Sequence, residues 1–406
     1  MSCICIDAAF LGTEKHFVVE DGFRWSESVP RGSWHLSGRY KTAPTSKCLD
    51  TLLKLDNRVL STLPPSHLKA MATIVTGSHE GHIMWQHSVP QGVFQNYFKN
   101  IVQETSTFFP SLPKDYYETV WTAGSRLLGT LKPAKVDVGR WSQHLSEHNQ
   151  NSAVIESFRP GKTGYAPPVV YNRFGTRTGR LTVEDGPNIL TLKKSHRDML
   201  RSSFPGGAVC SLDFRALEIR ILLDEAGVSS NAQDIYADIA TNQFGGDIPR
   251  DVVKVAVISE LYGVSRSALV ARLQVSDAKV DAFIDVIRRH FMLPELRSRL
   301  KEQLRSSGRL HTKFGRPLFL EEGHDNLLVN TFAQATGVDV AMLGFDSVVR
   351  SLGTEGIRPL FVLHDALVLD VHPDKLQDVE SQVSVIVPSY DTAFPLKFEK
   401  FDASNA

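Results

Sequence analysis

Only four cysteines occur in the 406-residue chain, Cys3, Cys5, Cys48 and Cys210, and none forms a C-x-x-C pair. So few scattered thiols exclude a disulfide framework and suit a reducing cytoplasm. No histidine cluster accompanies them along the sequence, so no zinc site is expected. Neither charge is in excess: Lys+Arg and Asp+Glu both number 45, for a formal net charge of zero. A polyanionic partner must then be held by a local basic surface, because the whole-molecule charge supplies no attraction. No stretch approaches the ~20 uninterrupted apolar residues of a membrane span. The opening Met1–Asp7 has no basic leader and no long apolar run, so it is not a secretion signal. Repeats and low-complexity tracts are absent as well. The expectation is a soluble intracellular protein with no membrane partner.

What is present is ordinary globular material, 42% hydrophobic and 22% charged. At roughly 100–200 residues per domain, the length allows two or three domains. Residues 1–45 read as short strands and loops, and 46–150 as mostly helical. Leu52, Leu53, Leu55, Val59, Leu60 and Leu63 form a helical stripe that stops at Pro64-Pro65. The turn-rich passage from Arg159 to Pro168 marks a boundary. Ala208–Asp213 reads as a buried strand running into a helix from Ala216 to Ala226. Residues 250–306 read as helices broken at Tyr262-Gly263 and near Pro294, and 326–352 as one long helix. Leu360–Val371 has the shape of a β-hairpin with His364-Asp365 at its bend. A helix over 375–386 and a strand over 395–400 follow. Helices with a small, mostly antiparallel sheet make an α+β architecture.

Two of the short apolar strands end in an aspartate, Asp213 and Asp365. Carboxylates fixed at strand ends suit hard cations, and two could hold an ion pair roughly 3.5–4 Å apart that assists in-line displacement at phosphorus. Either aspartate alone reads first as a helix cap or turn residue, which is what a lone Asp usually is. Arg250, Lys254, Ile258 and Tyr262 are spaced by four residues, so each lies about 40° round a helix from the last. Such a face could meet a triphosphate with its cations while Ile258 and Tyr262 cover base and sugar. Arg-x-x-x-Lys alone would be an ordinary solvated helix face.

Taken in order, the residues from about 165 to 406 resemble the family A DNA polymerases. Thr178-Gly179-Arg180-Leu181 is similar to the family's T-G-R-L segment, followed by Pro187-Asn188-Ile189. Asp213-Phe-Arg-Ala-Leu-Glu218-Ile-Arg220 resembles motif A, and Asp234-Ile235-Tyr236 a D-I-H-like step. Arg250, Lys254, Tyr262 and Gly263 resemble motif B. Gly315-Arg316 and Asn330-x-x-x-Gln334-x-Thr336 precede His364-Asp365, which looks like motif C, and Pro395-Leu396-Lys397 resembles the last palm strand. The resemblance implies a right-hand polymerase. Its palm would come from 165–225 and 307–406, its fingers from 226–306, and its helical thumb from within 46–164; 1–45 has no assigned role. It implies primer–template DNA and dNTPs as partners, two Mg²⁺ ions for which Mn²⁺ can substitute, and release of pyrophosphate.

By the same resemblance, Asp213 and Asp365 are the metal-binding catalytic carboxylates, and Lys254 acts with them on the leaving group. Arg250, Lys254, Ile258, Tyr262 and Glu218 bind the dNTP, with Glu218 and Tyr262 against the sugar. Arg180, Arg220, Asn330, Gln334 and His364 contact DNA. Apart from the resemblance, Lys193, Lys194, Arg197 and Arg201 read either as a grip on phosphates or, equally, as a solvated basic run. Three residues depart from the family pattern: Ile258 where an aromatic is usual, Ala366 where Glu is usual, and Ala335 where Gly is usual. Both principal aspartates remain, so an active enzyme is expected. No D-x-E occurs in residues 1–165, so no proofreading nuclease is expected in this chain. A phage-type replicative enzyme in a host cytoplasm fits this compactness, with a processivity factor or separate exonuclease as further partners. The alternatives are a single-subunit RNA polymerase, a repair or translesion polymerase, and a catalytically inactive DNA-binding protein. Glu218 opposes the RNA polymerase, which has a small residue there.

Overall fold

The computed structural model describes residues 3–38, 47–75, 84–147, 152–262, 264–273, 276–320 and 325–401. Gly263, expected to end the cation-bearing helix, lies outside them. The chain divides into two units, residues 1–119 and 120–406.

The first unit is built on strands β1 (Ile4–Ile6), β2 (His16–Val19), β3 (Phe23–Ser26) and β4 (Trp34–Leu36), in the order β3-β2-β1-β4. A one-turn helix, α1 (Ala8–Leu11), follows β1; Asp7 caps it and Gly12 ends it in the left-handed conformation. β1 runs antiparallel to β2 and parallel to β4. Trp34 is fully buried, edge-on to Phe109 and Tyr117. The sheet also brings His16 and His35 beside Cys5, which corrects the expectation that no histidine cluster accompanies a cysteine. Cross-strand register, which sequence spacing does not show, makes that cluster.

Helix α2 (Leu49–Leu55) is shorter than its apolar stripe predicted. Asp56 pairs with Arg58 and Asn57 turns left-handed, so the chain leaves the helix before Val59. Leu63 is buried from an extended segment, whereas Val59 faces solvent at 85% exposure. Among the described residues, the remaining regular elements of the unit are helices, chiefly α3 (Gln91–Phe108).

The second unit holds a five-stranded antiparallel sheet. Its strands are β5 (Ala208–Phe214), β6 (Ile357–Leu363), β7 (Ala366–Val371), β8 (Ser384–Val385) and β9 (Phe394–Lys400), in the order β6-β7-β5-β9-β8. β7 is buried at every position, as its apolar run Ala366–Leu369 demands, and buried Asp370 accepts from Ser202 and Ser203. One face packs on Ile155, Phe158, Ile189 and Met199. The other packs on a 28-residue helix (Asp325–Leu352), where Phe345 lies 5.0 Å from Phe214, ring to ring. Gly344 lets the strand approach, since a Cβ there would fall 2.9 Å from Phe214.

After β5 come α4 (Leu217–Glu225), α5 (Ile235–Phe244) and α6 (Arg250–Tyr262). The helices Arg266–Leu273, Asp277–His290 and Leu293–Ser307 come next, and then α7, the long helix Asp325–Leu352. The helix expected over 375–386 is only Leu376–Glu380. Beyond it the β-branched residues Val383, Val385, Ile386 and Val387 favour extended backbone, and Ser384-Val385 adds an edge strand against Phe394-Pro395. No helix among the described residues is long and apolar enough to cross a membrane.

Phe345 is wholly buried against the strand that carries Asp213. Phe345→Ala should destabilise the protein by ~3–5 kcal/mol in chemical denaturation, whereas exposed Val59→Ala should change it by less than ~0.5 kcal/mol.

Candidate active site

The site starts from register. Asp213 on β5 pairs with Ala366 on β7, so the bend before β7 lies beside the end of β5. The Phe214 amide donates to the Asp365 carbonyl at 3.0 Å, fastening the bend to the strand. Leu363 pairs with Ala366, leaving His364 and Asp365 as a two-residue loop. His364 takes φ +55° and Asp365 does not, so the first loop position has the left-handed backbone that ordinarily goes to glycine. A histidine there is strained by ~1 kcal/mol or more, and strain of this kind gathers at functional sites.

Burial raises both carboxyls. Asp213 is pushed up to about 7, by burial first and then by Asp365, with Glu399 adding and Lys397 and Arg197 opposing. Asp365 is raised by burial, against its own backbone amide, His364 and Arg180. Two desolvated carboxylates with this little counter-charge fit a hard divalent cation, whose charge relieves both burial and repulsion.

Glu218 forms the next wall, in the first turn of α4 behind a left-handed Ala216. Arg180 donates to one of its oxygens at 2.8 Å, and the Tyr262 hydroxyl donates to the other. Burial raises the Glu218 carboxyl; Arg180 opposes the rise and Asp365 adds to it. The loop carrying Arg180 is tied down by buried Arg316, which pairs with Asp339 at 3.0 Å. Arg316 also donates to the carbonyls of Thr178 and Ala335 at 3.0 and 2.7 Å. Gly179 has φ +76°, and a Cβ on it would fall 2.3 Å from Arg316, so only glycine fits.

Arg180, Leu217, Glu218, Gln334, Met342, His364 and Asp365 line an open pocket of about 500 Å³. A second recess of about 200 Å³ adjoins it through Glu218 and includes Tyr262 and Asn330. Gln334 donates to Asn330 at 3.3 Å, one turn away on α7.

Helix α6 presents Arg250, Lys254, Ile258 and Tyr262 on its outer face, while Val253, Ala256, Val257 and Leu261 are buried behind them. Arg250 pairs with Asp234 at 3.0 Å and Asp251 at 2.8 Å, and these bonds raise its already high pKa. The buried Tyr236 ring lies 5.3 Å from the Arg250 guanidinium and 5.8 Å from the Lys254 ammonium. Sequence comparison had shown Tyr236 only as part of a motif, not as the floor under both cations.

Arg220 departs from expectation. It is buried and donates to the carbonyls of Arg215, Ser230 and Ala232, so it braces the loop after α4 and is not available to DNA. Of the basic run, Lys194 pairs with Glu399 and Arg201 with Asp137, Arg197 is half-buried, and Lys193 stays exposed. Lys397, missed as a site residue, sits in register with Asp213. The sequence shows it only within the Pro395-Leu396-Lys397 segment, and its place opposite Asp213 comes from pairing across strands.

The Asp213 shift gives a sign. Between pH ~4 and ~7 the folded chain holds a proton that the unfolded chain has released, so stability falls as pH rises through that window. Asp213→Asn should therefore stabilise the metal-free protein by on the order of a few kcal/mol at pH 8, and by less at pH 5. Urea denaturation in chelator checks this, and Mg²⁺ should narrow the difference.

The sequence model of DNA polymerase family A matches residues 168–401. The thermostable DNA polymerase I of Thermus aquaticus is 26% identical over 263 residues, covering 56% of this chain and 31% of that protein. That of Thermus filiformis is 26% identical over 257 residues, covering 56% and 30%. The chain thus spans about a third of the length of the curated relatives it matches. A solved structure, the POL domain of Pol1 from M. smegmatis in complex with DNA primer-template and dNTP, shares the fold. Its TM-score is 0.59 at 14% identity, over 100% of this chain and 96% of that one. The fold is accordingly the right hand that the sequence implied, and the matched segment contains Asp213, the α6 cations and Asp365. The chain belongs to DNA polymerase family A.

Proposed function

We propose that this chain is a template-directed DNA polymerase that adds deoxynucleotides to a primer 3′ end. The observation that carries the reading is the desolvated Asp213–Asp365 pair, with Asp365 lining a pocket walled by Glu218 and Asp213 beside it on the neighbouring strand. Asp213 and Asp365 would hold the divalent ions, Mg²⁺ by the chemistry of an all-oxygen donor set, with Mn²⁺ as a substitute. When bound, such ions sharpen the primer hydroxyl as nucleophile and neutralise the departing pyrophosphate.

The remaining work falls to the chain's own side chains. Arg250 and Lys254 would take the triphosphate, with Arg250 exchanging Asp234 and Asp251 for phosphate oxygens. Lys254 would go on to offset charge on the leaving group. Tyr262 and Glu218, hydrogen-bonded to each other, would close the space beside the sugar where a 2′-hydroxyl would sit. Ile258 would cover the base with aliphatic surface in place of a ring. Arg180, Gln334, Asn330 and His364 would meet the primer end and the minor groove of the newest base pairs. In this reading the sheet and α7 form the palm and the helices between 226 and 306 the fingers.

Primer extension with Mg²⁺, run separately with dNTPs and rNTPs, tests the reading. Extension with dNTPs is expected, and Asp365→Ala should reduce it by ~10³-fold or more. Efficient rNTP use by wild type would instead indicate an RNA polymerase, and DNA binding without extension an inactive binding protein. Glu218→Ala should leave dNTP extension measurable while raising the rNTP-to-dNTP ratio at least ~10-fold, the equivalent of one lost contact.

A further inference from the structure

A second metal-ligating cluster stands in the N-terminal sheet, in the unit that does not contain the aspartate pair. Cys5 lies on the central strand β1, directly across from His35 on β4. The β1–β2 register pairs Cys5 with Val18 and Ile6 with Phe17, which carries His16 across from Asp7. Side chains alternate along a strand, so Cys5, Asp7, His16 and His35 all project from one face. One ligand atom from each of Cys5, His16 and His35 lies within 4.8 Å of the other two.

We propose that Cys5, His16 and His35 bind a single Zn²⁺-class ion that staples the three strands together. One thiolate and two imidazoles are borderline-soft donors and select zinc over the oxygen-seeking Mg²⁺. With bonds of 2.0–2.3 Å, tetrahedral ligand atoms stand about 3.5 Å apart, so the side chains need only draw inward by about 1 Å. His35 Nε2 is buried without an aligned hydrogen bond, and Asp7 Oδ2 lies 3.2 Å from it. A carboxylate on one nitrogen of an imidazole is the usual means of orienting the other toward a metal. His16 Nδ1 accepts from the Ala8 amide at 3.2 Å, and coordination through that nitrogen would exchange this contact for a metal bond.

The strands explain why a staple is useful. β1 and β4 have three residues each and β2 has four, so their backbone ladders are brief. A structural ion adds binding free energy directly to folding. Burial, with Cys3 and Asp7 adding, pushes the free Cys5 thiol up to about 11, so binding must release its proton and weakens as pH falls.

The test uses the full chain, loaded with Zn²⁺ for metal analysis and with Co²⁺ for spectroscopy. One equivalent of zinc should survive gel filtration. Co²⁺ should give a tetrahedral visible spectrum with a near-ultraviolet thiolate-to-cobalt band. Cys5→Ser and His35→Gln should each lower metal affinity at least tenfold and remove or weaken that band, while Cys3→Ser and Cys48→Ser keep it. Chelation should lower the Tm of wild type and not that of Cys5→Ser. The wild-type spectrum needs no variant to fold. Absence of the thiolate band would overturn the proposal, including when zinc is bound, because that ion would sit on carboxylates. A band that survives Cys5→Ser would overturn it as well.

Discussion

Everything at the candidate active site depends on one pairing register, β5 against β7. A slip of one residue would turn Asp213 to the opposite face and bury a hydrophobic residue's place with charge. The register is held by apolar side chains on both sides of the sheet and by Phe214, whose ring meets Phe345 and Phe394. The Phe214 amide then reaches the Asp365 carbonyl and brings the bend alongside. Against this stand a left-handed His364 and two carboxylates taken out of water beside each other. Packing over the whole sheet outweighs those local costs, and the strained, repelling corner is where a cation is most strongly favoured.

The elements around this corner were legible because their signals are local. The long helix over 325–352, the hairpin ending in His364-Asp365 and the strand entering Ala216 each show their period or bend in consecutive residues. The i, i+4 face of α6 is likewise visible in the sequence, and its buried opposite face agrees with it. What was not legible depends on partners distant in sequence. Arg220 sits two residues beyond Glu218 in a motif of functional residues, about 200° round the helix from it, and its guanidinium turns inward to three carbonyls. Lys397 and Cys5 acquire their neighbours only through register. The helix expected after Lys375 stops early because its apolar residues are β-branched and an open sheet edge lies within reach.

Charge balance at the corner also bears on Ala366. This residue is buried and pairs with Asp213, so a glutamate in its place would start from the most crowded point of the carboxylate pair. A third negative charge there would raise both aspartates further unless more cations were present. The chain instead keeps its extra carboxylate at Glu399, which Lys194 and Lys397 hold below its usual range. The aspartate pair is therefore burdened mainly by desolvation, which an ion relieves, and less by neighbouring charge.

The same accounting explains why Arg250 can be paired and still available. Its bonds to Asp234 and Asp251 are exposed, and exposed ion pairs are worth at most ~1 kcal/mol each because water and salt compete for them. In the proposed reading a triphosphate offers denser charge and bidentate acceptors, so exchange would run in its favour. The Tyr236 ring lies 5.3 Å from the guanidinium and 5.8 Å from the Lys254 ammonium, and in the proposed reading would limit where either can go. Asp234 is itself fixed as the cap of α5, accepting from the Tyr236 and Ala237 amides. Were Arg250 to leave for a phosphate, as proposed, that carboxylate would keep its backbone partners. The pairing is thus a resting position for the cation, held by a group that does not need it.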